Sequence, residues 1–229
     1  MDFNKTIEYL PALLNGALIT ISLTLISAFF GIILGLFLAL GRISNIKILE
    51  RFCWFYIWIF RGTPLLMQII FIYYAIPLMV KLLIPQVESS FNLPQWPAAI
   101  LALSLNVAAY FAESIRAGIQ SIDSGQMEAA KALGMNYWQA MRRIIIPQSY
   151  RRLIPPLGNE LIALSKDTSL VSAISMVDLM YTTTQISSHE MLPFIFIPSG
   201  ILYLAMTTIF TLVFEKLEKK YSKYEKSPT

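Results

Sequence analysis

The chain has 229 residues and only 32 charged side chains (Lys+Arg 18, Asp+Glu 14), or 14%, against 56% hydrophobic, with a mean hydropathy of +0.60. An ordinary soluble domain is about a quarter charged, which would be roughly 57 side chains at this length. The charges also avoid long blocks. None lies between Glu8 and Arg42, Arg61 and Lys81, Glu88 and Glu113, or Glu190 and Glu215, gaps of 33, 19, 24 and 24 residues. A bilayer-crossing helix needs about 20. A soluble globular enzyme is excluded, and so is a nucleic-acid binder, despite the net charge of +4. Cys53 and His189 are the single cysteine and histidine. No internal disulfide, thiolate cluster or ordinary zinc site is expected.

In chain order, Met1-Asp2-Phe3-Asn4-Lys5 lacks a basic n-region, and the first apolar block has no small-x-small exit. It is expected to be a retained membrane helix. The first span is expected at about 13–40, with Gly31 and Gly35 at i, i+4 letting a second helix approach closely. The segment 48–84 is too long for one span and contains Arg61. A deep arginine would cost several kcal/mol. The second span is therefore expected at 64–84, with Thr63 as N-cap and Pro64 at the first helical position. Residues 48–60, rich in Trp54, Phe55, Tyr56, Trp58 and Phe60, would then lie along the interface, with Arg61 at its cytoplasmic edge. A third span is expected at about 97–115, beside the interfacial Pro94, Trp96 and Pro97. A polar cytoplasmic segment follows at 121–150. Pro155-Pro156 would break the chain before a polar fourth span at about 157–181, and the fifth is expected at 193–214. No repeat or low-complexity linker divides residues 1–229, which read as one all-α membrane domain with five spans.

Orientation follows from Lys and Arg. Arg42, Lys47, Arg51, Arg61, Arg116, Lys131, Arg142, Arg143, Arg151, Arg152, Lys216, Lys219, Lys220, Lys223 and Lys226 fall on one side, and only Lys5 and Lys81 on the other. The positive-inside rule then places the N-terminus outside and the C-terminus in the cytoplasm. The net positive charge needs no anionic partner beyond lipid headgroups.

The segment 121–150 is the most specific. Glu128-Ala129-Ala130-Lys131-Ala132-Leu133 is a good helix former, with small residues that allow close contact, and Gly134 can supply a left-handed residue that ends it. Such a helix needs another surface to cover it. Glu128-Ala129-Ala130 with Gly134 four residues on, then Ile146-Pro147, resembles the signature of permease subunits of ABC importers. Arg61-Gly62-Thr63-Pro64-Leu65-Leu66, Ala112-Glu113-Ser114-Ile115-Arg116-Ala117-Gly118-Ile119, Ile146-Pro147-Gln148 and Lys166-Asp167-Thr168-Ser169-Leu170 are similar, in order, to the polar amino acid permeases of the histidine/glutamine type. The resemblance covers nearly the whole chain. It implies a five-span type I importer fold in a bacterial plasma membrane, paired with a second, identical or homologous permease. It further implies two ATPase subunits that bind ATP and Mg2+, an external amino acid-binding protein, and no cofactor on this chain. Glu128, Ala129, Ala130 and Gly134 would then belong to the coupling helix seated on the ATPase. The chain itself has no G-x-x-x-x-G-K-[ST] phosphate cradle. An ion-coupled transporter or small channel is the alternative that composition leaves open. An intramembrane enzyme is not supported, because His189 has no evident nucleophile beside it.

Span four carries Glu160, Lys166, Asp167 and Asp178, and charges at membrane depth usually face a cavity or a partner. Glu160, Ala163, Leu164 and Asp167 share one helix face. Two carboxylates flanking small and apolar walls suit a cationic ligand. Asn106, with Leu103 one turn before it in span three, adds a donor and acceptor. The bland readings stand beside these: Glu160 paired with Arg116 or Arg152, Asp167 with Lys166 of a neighbour, Asn106 only bridging helices. Gln68, Tyr73 and Tyr74 read more readily as packing than as a path lining. The resembled family also has neutral residues where Glu160 falls. Its full charge in a low-dielectric cavity therefore favours a basic substrate, arginine first, with lysine and histidine plausible, over glutamine or glutamate.

Overall fold

The computed structural model describes residues 7–84 and 92–222, and within them all regular structure is helical. Lys5, Lys223 and Lys226 of the charge count lie outside these residues. The frame is set by two helices, α1 (Leu10–Ile43) and α4 (Gln95–Gln120). They run parallel, because Gly31 meets Val107 and Ser104 while Gly35, one turn on, meets Phe111 and Ala108. A β-carbon at Gly35 would stand 2.8 Å from Phe111 Cβ and 3.0 Å from the Ala108 carbonyl oxygen. The glycine pair thus does what its spacing suggests: it lets two backbones touch. On the facing side α4 is nearly all small, with Ala98, Ala99, Ala102, Ala108, Ala109 and Ala112 fully buried.

Parallel packing of α1 and α4 obliges the chain between them to travel back over their full length. Two helices do this. α2 (Lys47–Gly62) starts beside the end of α1, where Arg42 Nη1 donates to Glu50 at 3.3 Å and Cys53 packs on Gly41. It then climbs along α4, with the Tyr56 hydroxyl donating to the Leu105 carbonyl at 2.8 Å. After a break at Thr63-Pro64, α3 (Leu65–Leu83) completes the return. The helix break falls where the sequence puts it. Arg61 is exposed beside Tyr110, three residues before Glu113 on α4, and lines one cleft with Arg42 and Glu113.

Beyond α4 come α5 (Ser124–Ala132), the single turn α6 (Tyr137–Ala140) and α7 (Ile146–Asp167). α7 runs straight through Pro155 and Pro156, which do not break it as expected, and continues as a 3₁₀ segment, Thr168–Ile174. Residues 157–181 are therefore not one continuous helix: Ser175 turns left-handed at φ 59°, and Asp178 caps α8 (Leu179–His189) by accepting from Tyr181 N at 2.8 Å. α9 (Phe196–Ser222), entered through a 3₁₀ turn at Pro193–Ile195, packs on α7. Two π-turns, Phe71–Ala75 inside α3 and Met141–Ile145 before α7, each precede a proline by one residue. Pro77 and Pro147 would clash with the carbonyl four residues back, and the wider turn relieves it.

Four helices among the described residues are long and apolar enough to cross a membrane: Leu10–Ile43, Leu65–Leu83, Gln95–Gln120 and Pro193–Lys220. The expected spans 13–40, 64–84, 97–115 and 193–214 fall on these helices. α7, carrying Glu160, Lys166 and Asp167, is too polar to join them. Large apolar side chains such as Leu18, Phe29 and Phe37 on α1 and Ile201 and Leu204 on α9 point outward, as a lipid-facing surface requires.

The α1–α4 contact makes a direct prediction. Gly35→Val meets backbone atoms that cannot yield and should destabilise by about 1–3 kcal/mol. Gly200→Ala, with nothing within 4 Å of its added carbon, should be neutral. Thermal unfolding of the two variants in detergent, side by side, checks the contrast.

Candidate functional site

Two broken helices meet near the middle of the bundle. α2 ends at Gly62, Thr63 is extended at φ −120° and ψ 146°, and Pro64 cannot donate a hydrogen bond. α7 ends at Asp167, and the first turn of α3 packs on the 3₁₀ segment that follows it. A break away from water leaves carbonyls that must find donors. Gln68 Nε2 lies 3.0 Å from the Phe60 carbonyl oxygen, 3.2 Å from that of Thr63 and 2.7 Å from Thr63 Oγ1. Asn106 Nδ2 donates to the same Phe60 carbonyl at 3.2 Å and to Gln68 Oε1 at 3.0 Å. Both amides are 7% exposed. Together they pin the backbone on which Arg61 stands.

The Arg61 guanidinium carbon lies 5.2 Å from the centre of the Tyr110 ring, a cation–π contact. Glu160, half-buried on α7, lies within the attractive field of Arg61 and the repulsive field of Asp167. The pairings that sequence alone leaves open for Glu160 are taken by others: Arg116 Nη2 holds Glu113 at 2.6 Å, and Arg152 donates to the Ser121 carbonyl. Lys166 attracts its neighbour Asp167 but is turned about 100° away on the helix. The result is a set of four charges, Arg61 and Lys166 against Glu160 and Asp167, drawn from both breaks.

Below it, toward the end that carries α5, a cleft of about 460 Å³ opens between α1, α2 and α4. Arg42, Trp54, Trp58, Arg61, Tyr110 and Glu113 line it, with the two indoles stacked at 6.0 Å and 12°. Arg61 lines it at the end of α2.

Of the expected binding residues, Glu160, Ala163 and Asp167 keep accessible surface. Leu103 and Leu164 belong to the fully packed core, where they back the site rather than line it. Asn106 is committed to its two hydrogen bonds, as a helix bridge. Arg61 and Gln68 were not expected in the site. Their signal in the sequence was the Thr63-Pro64 break, which needs a nearby side-chain amide. Asp178 is remote and serves as a helix cap.

The segment after α4 forms a second feature. Asp123 caps α5 by accepting from Gly125 N at 2.7 Å. Gly134, at φ 79°, ends it, with Gly134 N bonded to the Lys131 carbonyl at 2.9 Å and Met135 N to that of Ala130 at 3.0 Å. Asn136 and Gln139 then cap α6 reciprocally. Glu128, Ala129 and Gly134 are exposed, whereas Ala130 is fully buried against the protein's own body. Leu133 and Trp138, 79% and 73% exposed, form an apolar surface with Tyr137.

Comparison with known proteins places this arrangement. The family model of the binding-protein-dependent transport system inner membrane component matches residues 31–223. An arginine transport system permease protein of Bacillus subtilis is 37% identical over 96% of this chain and 97% of its own length. An L-cystine transport system permease protein of the same organism is 36% identical over 97% and 92%. A crystal structure of an amino acid ABC transporter with histidines superposes with a TM-score of 0.87 at 37% identity, covering 96% of this chain and 99% of that one.

The amide staple is testable. Gln68→Leu should lower stability by about 1–3 kcal/mol, because a buried partner loses its donor. Asn106→Leu should do the same. Since the two amides bond each other, the double variant should lose less than the sum. Thermal melts of the three proteins provide the cycle.

Proposed function

The chain belongs to the family of binding-protein-dependent transport system inner membrane components, and we propose that it imports polar amino acids, basic ones above all and arginine first. The coarse statement is secure: it is a permease subunit of an amino acid ABC transporter, non-enzymatic, with ATP hydrolysis on a separate subunit. The type I importer fold and the inner-membrane setting come with the family.

The finer reading rests on one observation: Glu160 is a half-buried carboxylate on α7 that forms no ion pair among the described residues. A cationic substrate balances that charge when it binds, and a neutral one does not. In a low-dielectric cavity the difference favours a guanidinium or ammonium. The relative named for arginine agrees with this reading, and the one named for cystine shows that the scaffold is not tied to it.

In the proposed cycle the N-terminus is outside and the C-terminus cytoplasmic, in keeping with fifteen Lys and Arg on one side. α7 with its 3₁₀ extension completes five crossings. A binding protein delivers the amino acid from outside. A second permease subunit encloses the path, and ATP on two ATPase subunits drives the change of access. The α5–α6 segment is the coupling element. Glu128, Ala129 and Gly134 face the ATPase, joined by the apolar Leu133, Tyr137 and Trp138. Ala130 fixes the helix to the permease.

Two expected outcomes follow in proteoliposomes holding the permease, its ATPase and the binding protein. Glu160→Gln should reduce arginine uptake at least about tenfold with assembly intact, the worth of one charged contact. Unchanged uptake would reduce Glu160 to a structural ion. Gly134→Val places a β-branched residue at positive φ. It should leave insertion intact and abolish binding-protein-stimulated ATP hydrolysis; normal stimulation would remove α5 from the coupling role.

A further inference from the structure

We infer that Arg61 is the residue that takes the α-carboxylate of the transported amino acid. This rests on the proposed amino acid import and adds how the substrate's head is held.

The first observation is an unspent charge. Arg61 is exposed beside Tyr110 and shares a cleft with Arg42 and Glu113. Among the described residues nothing closes on it. It has no hydrogen bond and no ion pair there. Glu113, the carboxylate on its own cleft, is held by Arg116 at 2.6 Å and approached by Arg42 at 4.0 Å. Glu160 attracts Arg61 without forming an ion pair.

The second is what the guanidinium has left to offer. Its contact is with the Tyr110 ring, an interaction that consumes no N–H donor. The guanidinium donors therefore remain available, and a planar fork of N–H groups matches a carboxylate in two parallel hydrogen bonds. Lysine would bring the charge without the fork.

The third is rigidity. Phe60, directly before Arg61, has its carbonyl held by two buried amides, and Thr63, two residues after it, by one of them. The backbone under Arg61 is fixed before any ligand arrives. Pre-organisation of this kind lowers the entropy lost on binding.

The fourth is room. Arg61 is exposed and lines the cleft of about 460 Å³ walled by Trp54 and Trp58, within the size of small-ligand sites. The acid group that every amino acid carries is its α-carboxylate. Arg61 thus reads the part of the substrate common to all amino acids, and Glu160 is left to read a basic side chain.

Agmatine, which is arginine without its carboxylate, separates the two functions. Equilibrium binding of labelled arginine and labelled agmatine to the purified permease–ATPase complex in nanodiscs, without binding protein, is the measurement. The wild-type complex should prefer arginine by at least about tenfold. Arg61→Gln should remove that preference by weakening arginine while agmatine binding persists, and this persistence also reports an intact cavity. Arg61→Lys should restore part of it. Equal wild-type affinity for the two ligands overturns the inference even if no variant folds. So does an unchanged preference in Arg61→Gln. So too does a loss of bound phosphatidylglycerol in Arg61→Gln, by native mass spectrometry, with amino acid preference intact, which would make the cleft a lipid site. Failure of the wild type to bind either ligand would instead sink the proposed amino acid site, and this inference with it.

Discussion

One backbone carbonyl governs the middle of this protein. Phe60 ends the regular hydrogen bonding of α2 at a depth where no bulk water can reach it, and its oxygen is met by side-chain amides from Gln68 and Asn106. In hydrocarbon an unmet carbonyl costs several kcal/mol, so a helix can break there only where such donors are built in. The break in turn allows α2 and α3 to change direction while retracing the length of the parallel pair α1–α4. It also brings the first turn of α3 against the 3₁₀ segment that continues α7. Remove the amide staple and the two discontinuities no longer have a reason to meet.

The charges divide into two kinds by the same physics. Arg42, Glu50, Glu113 and Arg116 satisfy one another at the end of the bundle that carries α5, with contacts from 2.6 to 4.0 Å. They hold α1, α2 and α4 together and have little left to offer a ligand. Arg61, Glu160 and Asp167 form no ion pair among the described residues, and each retains accessible surface. Ions that are paired belong to the scaffold, whereas ions without a partner are open to something that comes and goes.

Much of this was legible in the residues. Charge-free blocks fixed where the long apolar helices lie, the i, i+4 glycines located the tightest helix contact, and Gly134 marked the end of α5. The Thr63-Pro64 break was also plain. The partners of the segment around Arg61 were not, because periodicity reveals a helix face and says nothing of what meets it. Asn106 and Tyr110, which meet it, lie more than forty positions away. Pro155 and Pro156 misled for a related reason: a proline lowers helix propensity locally, but packing of α7 on α4 and α9 carries the helix through. Leu103 and Leu164 share faces with the polar site residues, yet a helix face wide enough to touch a cavity also touches the core.

The route from the loop segment to the site is short and stiff. α4 and α7 both run unbroken from the α5–α6 end to the charge set. Near that end Leu153 packs directly onto Gly118, where no side chain intervenes, and Arg152 bonds the Ser121 carbonyl. A force applied at α5 therefore moves α4 and α7 as a unit. Glu160 and Asp167 ride on that unit. Arg61 rides on α2, separated from α3 by the break and tied to α4 by the amide staple, the Tyr56–Leu105 hydrogen bond and the Tyr110 contact. Relative motion between the unit and α2 changes the spacing of Arg61 and Glu160. In the proposed cycle that change of spacing links a displacement at the loop end to the hold on the ligand.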